Sequence, residues 1–140
     1  FAPCQAAEKA GVMSFGQASD QSDFCPNAHL TAIIDDWGPY YTQRAKDLVD
    51  GSWTSSDTWG GMNTGMVAMS DYNKKLMSTE LIQEVINMEI AIKDGTLHAF
   101  EGPIYNQAGE LVIPEGEAAD DGMLLGMNFY VQGIDGDIPQ

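Results

Sequence analysis

The segment that most constrains this chain is Leu30-Thr31-Ala32-Ile33-Ile34 followed by Asp35-Asp36. A short apolar run with β-branched residues predicts a buried strand. The residues beyond it predict a helix. Asp36 is suited to the N-cap, Pro39 to the first turn, and Tyr41, Ala45 and Leu48 recur at helical spacing before Gly51 supplies the stop. A strand that passes through an acidic turn straight into a helix is one unit of an α/β layer structure.

The same alternation extends in both directions. Ala2 to Ala10 predicts a helix ended by Gly11, and Val12-Met13-Ser14-Phe15 a strand ending at Gly16. A polar stretch, Gln17 to Asn27, separates this strand from the next. Downstream, Gly60-Gly61-Met62-Asn63-Thr64-Gly65 leads into a third strand, Met66 to Met69. Ser78 or Thr79 opens a long helix with a stripe of Leu81, Val85, Met88 and Ile92, stopped at Gly95. Leu97 to Tyr105 and Glu110 to Ile113 flank the turn-like tetrad 106–109 and predict a β-hairpin, and Asp120 begins a last helix through Met123, Leu124, Met127 and Tyr130. The expected fold is α/β, a parallel sheet flanked by helices with an added hairpin. At 140 residues the chain is long enough to bury a sizeable core. Because it opens on a helix with no strand before it, the chain is expected to begin in the middle of a fold.

Charge narrows the choice of partners. Against 21 acidic residues stand 6 basic ones, a formal charge of -15, spread along the chain. Nucleic acid and anionic lipid are poor partners for such a chain, because phosphate binding needs clustered Lys and Arg. A neutral or cationic ligand fits better. No run approaches the length of a membrane-spanning helix and no signal peptide opens the chain, so any export signal is expected to have been removed.

In open α/β sheets the ligand crevice lies beyond the carboxyl ends of the strands. Three polar turns are expected there: Gly16 to Asp20, Asp35 to Trp37, and Trp59 to Asn63. Of Asp35 and Asp36, one carboxylate can cap the helix while the other accepts hydrogen bonds from ligand hydroxyls. Trp37, Trp53 and Trp59 offer faces for stacking a heteroaromatic ring, with packing as the alternative for each. Sequence-adjacent carboxylates at a turn diverge, and no base or nucleophile partners them, so an Asp-based hydrolase is a distant reading. His29, four residues after Cys25, reads as a structural histidine rather than half of a catalytic pair.

Cys4 and Cys25 form neither a C-x-x-C motif nor a zinc set with His29 and His98, which leaves two buried thiols or a disulfide open. Asp20 with Asp23, and Asp135 with Asp137, echo a calcium loop but lack its Gly and Glu in register and read as solvated turn acids. No metal and no cofactor are expected.

Asp36-Trp37-Gly38-Pro39-Tyr40-Tyr41, Leu48-Val49-Asp50-Gly51-Ser52-Trp53 and Asp57-Thr58-Trp59-Gly60-Gly61-Met62 resemble the basic membrane protein (PnrA-like) family of ABC-transporter solute-binding proteins. The likeness continues through Gly65-Met66-Val67, Gly95 to Ile104 and Leu125 to Val131, and so covers essentially the whole chain.

The resemblance implies a type I periplasmic-binding fold of two α/β lobes, of which this chain matches the C-terminal half. It also implies export, in some members with a lipid anchor, and delivery of a ligand such as a purine nucleoside or nucleobase to a membrane permease. The ligand-facing positions implied are Phe15 and Gln17 after the first strand, Asp36 and Trp37 after the second, and Trp59, Gly60, Gly61, Met62 and Asn63 before the third. Asn63 departs from the Lys found in many nucleoside binders of the family, which removes a cation from the pocket. The expected partners are a small-molecule ligand, the permease and the N-terminal half of the same protein. An oxidising compartment would favour a Cys4–Cys25 disulfide. The competing function is a ligand-sensing domain of a receptor or regulator on the same fold.

Overall fold

A computed structural model describes residues 1–138, which fall into two units, Phe1–Asp94 and a second that begins at Gly95.

The first unit runs α1 (Ala2–Ala10), β1 (Ser14–Ala18), β2 (His29–Asp35), α2 (Trp37–Asp50), β3 (Val67–Met69) and α3 (Thr79–Asp94). Its sheet has the order β1-β2-β3. β1 lies parallel to β2, pairing Phe15 with Thr31 and Gln17 with Ile33, whereas β3 lies antiparallel to β2, with Asp35 opposite Val67.

The sheet is therefore mixed rather than wholly parallel. The cause is the route taken after α2. A parallel third strand requires the chain to return to the start of β2. Instead residues 53–61 run back beside the helix without regular structure, and the Tyr40 hydroxyl meets Thr58 Oγ1 at 3.2 Å. The chain thus re-enters the sheet at the end it left, where the Asp36 N–H donates to the Met66 carbonyl at 2.8 Å.

β1 begins and ends later than the apolar run suggests. Val12 and Met13 precede the strand, while Gly16, Gln17 and Ala18 belong to it. Pairing with β2 carries the ladder on until Ala18 turns to φ 66°, the one non-glycine positive φ among the described residues.

The two long helices also differ from expectation in what they bury. On α2 the half-buried positions are Tyr40, Arg44 and Asp47, while Tyr41, Ala45 and Leu48 face outward and Leu48 is 69% exposed. On α3 the sheltered stripe is Ile82, Val85 and Ile86, leaving Leu81, Met88 and Ile92 exposed. Apolar spacing marks a helix, but which face is covered depends on what lies beside it.

The core of this unit is correspondingly small. Cys4, Cys25, Ala28, His29, Thr31, Ala32, Ser70 and Met77 are buried. Ser70 Oγ accepts the Ala32 N–H at 2.8 Å and its carbonyl accepts the Thr31 hydroxyl at 3.0 Å, which satisfies polar groups beneath the sheet.

The second unit contains β4 (Ile104–Tyr105), β5 (Leu111–Ile113) and α4 (Asp121–Gly126). β4 and β5 form the expected antiparallel hairpin, but its first arm is much shorter than Leu97 to Tyr105. Pro103 has no N–H to extend the ladder, and only isolated bridges, Glu101 to Ala118 and Gly102 to Glu115, continue it. α4 is capped by the Asp120 carboxylate on the Met123 N–H at 2.8 Å and ends at Gly126. Tyr130 lies outside the helix, because Met127 leaves helical geometry and Val131 bridges to Asn106.

Candidate functional site

The carboxyl end of β2 and the first turn of α2 form one side of a small cavity, ≈220 Å³, lined by Asp36, Pro39, Tyr40, Thr58, Trp59, Thr64, Gly65 and Met66. Three stretches converge because the return segment after α2 is held against the helix and β3 starts beside Asp36. The local sequence fits each role. Asp36 ends the strand's extended backbone and caps α2, its Oδ1 accepting the Gly38 N–H at 3.3 Å. The 3₁₀ turn Met62–Thr64 is closed by the Gly61 carbonyl, which accepts the Thr64 hydroxyl at 2.9 Å and the Val67 N–H at 3.4 Å.

Next to the cavity stands an aromatic group. The Trp37 ring stacks on Tyr41, with centroids 5.8 Å apart and planes at 25°, and meets Tyr40 edge-on at 5.9 Å. Arg44 lies over the Tyr40 ring at 5.5 Å and pairs with Asp47 at 2.7 Å. The neighbourhood therefore offers exposed π surface, a carboxylate with lone pairs beyond the one used for capping, and hydroxyls from Tyr40, Thr58 and Thr64. These groups suit a flat, neutral, hydrogen-bonding ligand.

The expected site residues are only partly brought together. Asp36 and Trp59 line the cavity, and Trp37 stands beside it in the aromatic group. Gly60 supports the wall, since a side chain there would run into Met66 and Thr64. Gly61, Met62 and Asn63 build the 3₁₀ turn without lining the cavity, and Asn63 is exposed.

Phe15 and Gln17 do not follow β1 but lie within it, two residues apart and so on one face of the sheet, both exposed and outside the cavity lining. Tyr40 and Thr58 also line the cavity, beyond the residues expected from the sequence. The signal for Tyr40 was its place one helical turn after Asp36.

At the opposite end of β2 lies a larger cavity, ≈780 Å³, lined in part by His29, Asp20, Asp71, Tyr72 and Ile82. Asp20 is not merely a solvated turn acid. It accepts the Ser22 N–H at 2.8 Å, and this bond holds its carboxyl below the ordinary range against the opposing effect of burial; its Oδ1 is 3.3 Å from His29 Nε2. Cys4 and Cys25 are joined by a disulfide with Cα atoms 5.9 Å apart, so neither is a thiol available for nucleophilic attack in this state. Among the described residues no helix is long and apolar enough to cross a membrane.

Residues 3–100 match the family described as ABC transporter substrate-binding protein PnrA-like. A purine-binding protein of Brucella abortus is 45% identical over 139 residues, 99% of this chain and 39% of that protein. A Haloferax volcanii protein, named as a candidate glucose-binding component of an ABC transporter, is 28% identical over 99% of this chain and 32% of its own length. The chain thus spans well under half the length of these curated relatives. Among solved structures, a transcriptional activator of the comK gene from Bacillus halodurans superposes with a TM-score of 0.59 at 17% identity, over 67% of this chain and 33% of that one. That likeness concerns the fold.

Proposed function

Because the chain belongs to the PnrA-like family of ABC transporter substrate-binding proteins, we propose that it supplies one wall of an extracytoplasmic cleft that binds a purine nucleoside, a nucleobase or a similar neutral heterocycle for a membrane permease. The observation that carries this reading is the convergence of Asp36, Tyr40, Thr58 and Trp59 around one cavity, with Trp37 and Tyr41 stacked beside it. An aromatic face takes the ring and the carboxylate and hydroxyls take its polar edge. The similarity to a purine-binding protein over almost the whole chain supports the same ligand class.

The cavity is small, and Phe15, Ile33 and Trp37 leave apolar surface exposed. In this reading the N-terminal half of the same protein, in the type I arrangement, covers part of that surface and completes the cleft. Closure removes water from both sides of the ligand and strengthens its hydrogen bonds. In this reading the ligand leaves unchanged, as delivery to a permease requires.

The test is calorimetric titration of the intact parent protein with adenosine, guanosine, adenine and glucose, followed by chromatography of the recovered ligand. Purine binding without turnover, weakened by Trp37→Ala, is the expected result. Glucose binding without purine binding, or conversion of nucleoside to base, would overturn the proposal.

A further inference from the structure

A second site lies around the disulfide and owes nothing to the ligand proposed for the crevice. Cys4, Cys25 and His29 are all buried, at 1%, 0% and 1% exposure, and each offers a ligand atom within 4.8 Å of the other two. Two segments converge here. α1 presents Cys4, and the tight turn in which the Ala28 and His29 N–H groups both donate to the Cys25 carbonyl, at 3.1 and 2.9 Å, brings Cys25 and His29 together.

His29 is the odd member of this cluster. Neither Nδ1 nor Nε2 has a hydrogen-bond partner, although the ring is fully buried. Asp20 Oδ1 stands 3.3 Å from Nε2 but outside hydrogen-bonding direction. Buried polar groups are nearly always paired, so an orphaned imidazole against two sulfurs calls for an explanation.

We propose that, when the Cys4–Cys25 bond is reduced, the two thiolates and His29 Nδ1 bind one zinc-class divalent ion, and that the Asp20 carboxylate, already 3.3 Å from Nε2, then turns to accept the Nε2–H of the ligating imidazole. The donor set is two sulfurs and one nitrogen, which suits Zn²⁺, and two thiolates neutralise its charge in a buried place. A carboxylate on the far nitrogen of a ligating imidazole is the recurrent arrangement in zinc sites. A fourth ligand, water, can come from the cavity that His29 and Asp20 both line. The ion replaces one cross-link between α1 and the turn that leads into β2 with another.

The chemistry balances with a phosphine as reductant. The S–S bond breaks, the phosphine becomes phosphine oxide with oxygen taken from water, and two thiols form. Zinc then displaces both thiol protons.

The experiment titrates Zn²⁺ and Co²⁺ into the purified protein, either oxidised or phosphine-reduced and desalted without oxygen. The reduced protein should take up one ion with release of two protons, and cobalt should show thiolate charge-transfer and tetrahedral ligand-field bands. The oxidised protein should bind at least about 100-fold more weakly, because a thiolate binds the ion and a disulfide sulfur does not. Asp20→Asn, at a partly exposed position, should weaken zinc binding about 10-fold without loss of the cobalt spectrum.

His29→Gln should shift that spectrum toward a two-sulfur set. Equal binding by the oxidised protein, no stoichiometric uptake after reduction, or a Cys4→Ser/Cys25→Ser variant that binds as tightly as the reduced protein would overturn the proposal.

Discussion

The Tyr40 hydroxyl lies 3.2 Å from Thr58 Oγ1, joining the first turn of α2 to the irregular segment that returns beside it. This one contact bears on both the fold and the site, since the return path sets the direction of β3 and brings Trp59 to Asp36. Removing either partner, by Tyr40→Phe or Thr58→Val, should cost no more than about 1 kcal/mol, as the bond is solvent-exposed. The double variant should cost little more than either single one. Urea denaturation of the three variants checks this, and full additivity would show that the two groups are not coupled.

Capping and ligand binding by Asp36 can be separated. Asp36→Asn keeps an N-cap of nearly equal quality, whereas Asp36→Ala loses about 1 kcal/mol of stability. Both should weaken the purine binding proposed above, because both remove the charged acceptor. Thermal denaturation beside calorimetry distinguishes the effects, and unchanged affinity in both variants would remove Asp36 from the site.

In the hairpin unit, Gly102 has no room for a side chain, since a Cβ there would run into the Pro114 carbonyl and come within 2.6 Å of the Ile113 carbonyl. Backbone cannot move aside as a flexible side chain does. Gly102→Ala should cost on the order of 3 kcal/mol through overpacking. Gly109→Ala, in open space at φ 80°, should cost about 1 kcal/mol. Equal losses of stability in chemical denaturation would contradict the packing assigned to Gly102.

The disulfide closes a loop between positions 21 residues apart. The chain-entropy account gives a loop of that size about 3 kcal/mol of stabilisation. Cys4→Ala/Cys25→Ala should lose roughly that amount relative to the oxidised protein, and reduction of the native protein in the absence of metal should lose a similar amount. Denaturant midpoints before and after reduction are the measurement; no shift on reduction would mean that the bond constrains nothing.

Alkaline pH should act through Tyr72. Burial, with the Glu89 carboxylate that accepts its hydroxyl at 3.1 Å, pushes the phenol up to about 12 from its ordinary 10.0. The unfolded chain therefore loses this proton first as pH rises. The stabilisation is fully present below pH 10 and is lost progressively toward pH 12. Phenolate absorbance should show Tyr72 titrating late, and Tyr72→Phe should flatten the fall in stability over that range. A Tyr72→Phe protein with an unchanged alkaline profile would locate the effect elsewhere.

Local order was written plainly in the chain. Gly11 and Gly51 stop α1 and α2, Asp36 and Asp120 cap theirs, and Leu30 to Ile34 form the central strand, because caps, stops and β-branched runs act through neighbours a few residues away. The family was legible for a related reason. Asp36 to Tyr41 and Asp57 to Met62 carry their pattern as contiguous residues, and they supply most of the cavity wall.

What the sequence could not determine were the relations between distant segments. Periodicity marks α2 as a helix but is silent on whether Tyr41 or Tyr40 faces inward, since burial depends on what packs alongside. The direction of β3 was settled by where residues 53–61 run, and the length of β1 by its pairing with β2 beyond Gly16. His29 meets Asp20 and the sulfur pair only because the turn after Cys25 folds against α1. Each of these rests on contacts between residues far apart in the chain, whose geometry exists only once the chain has closed on itself.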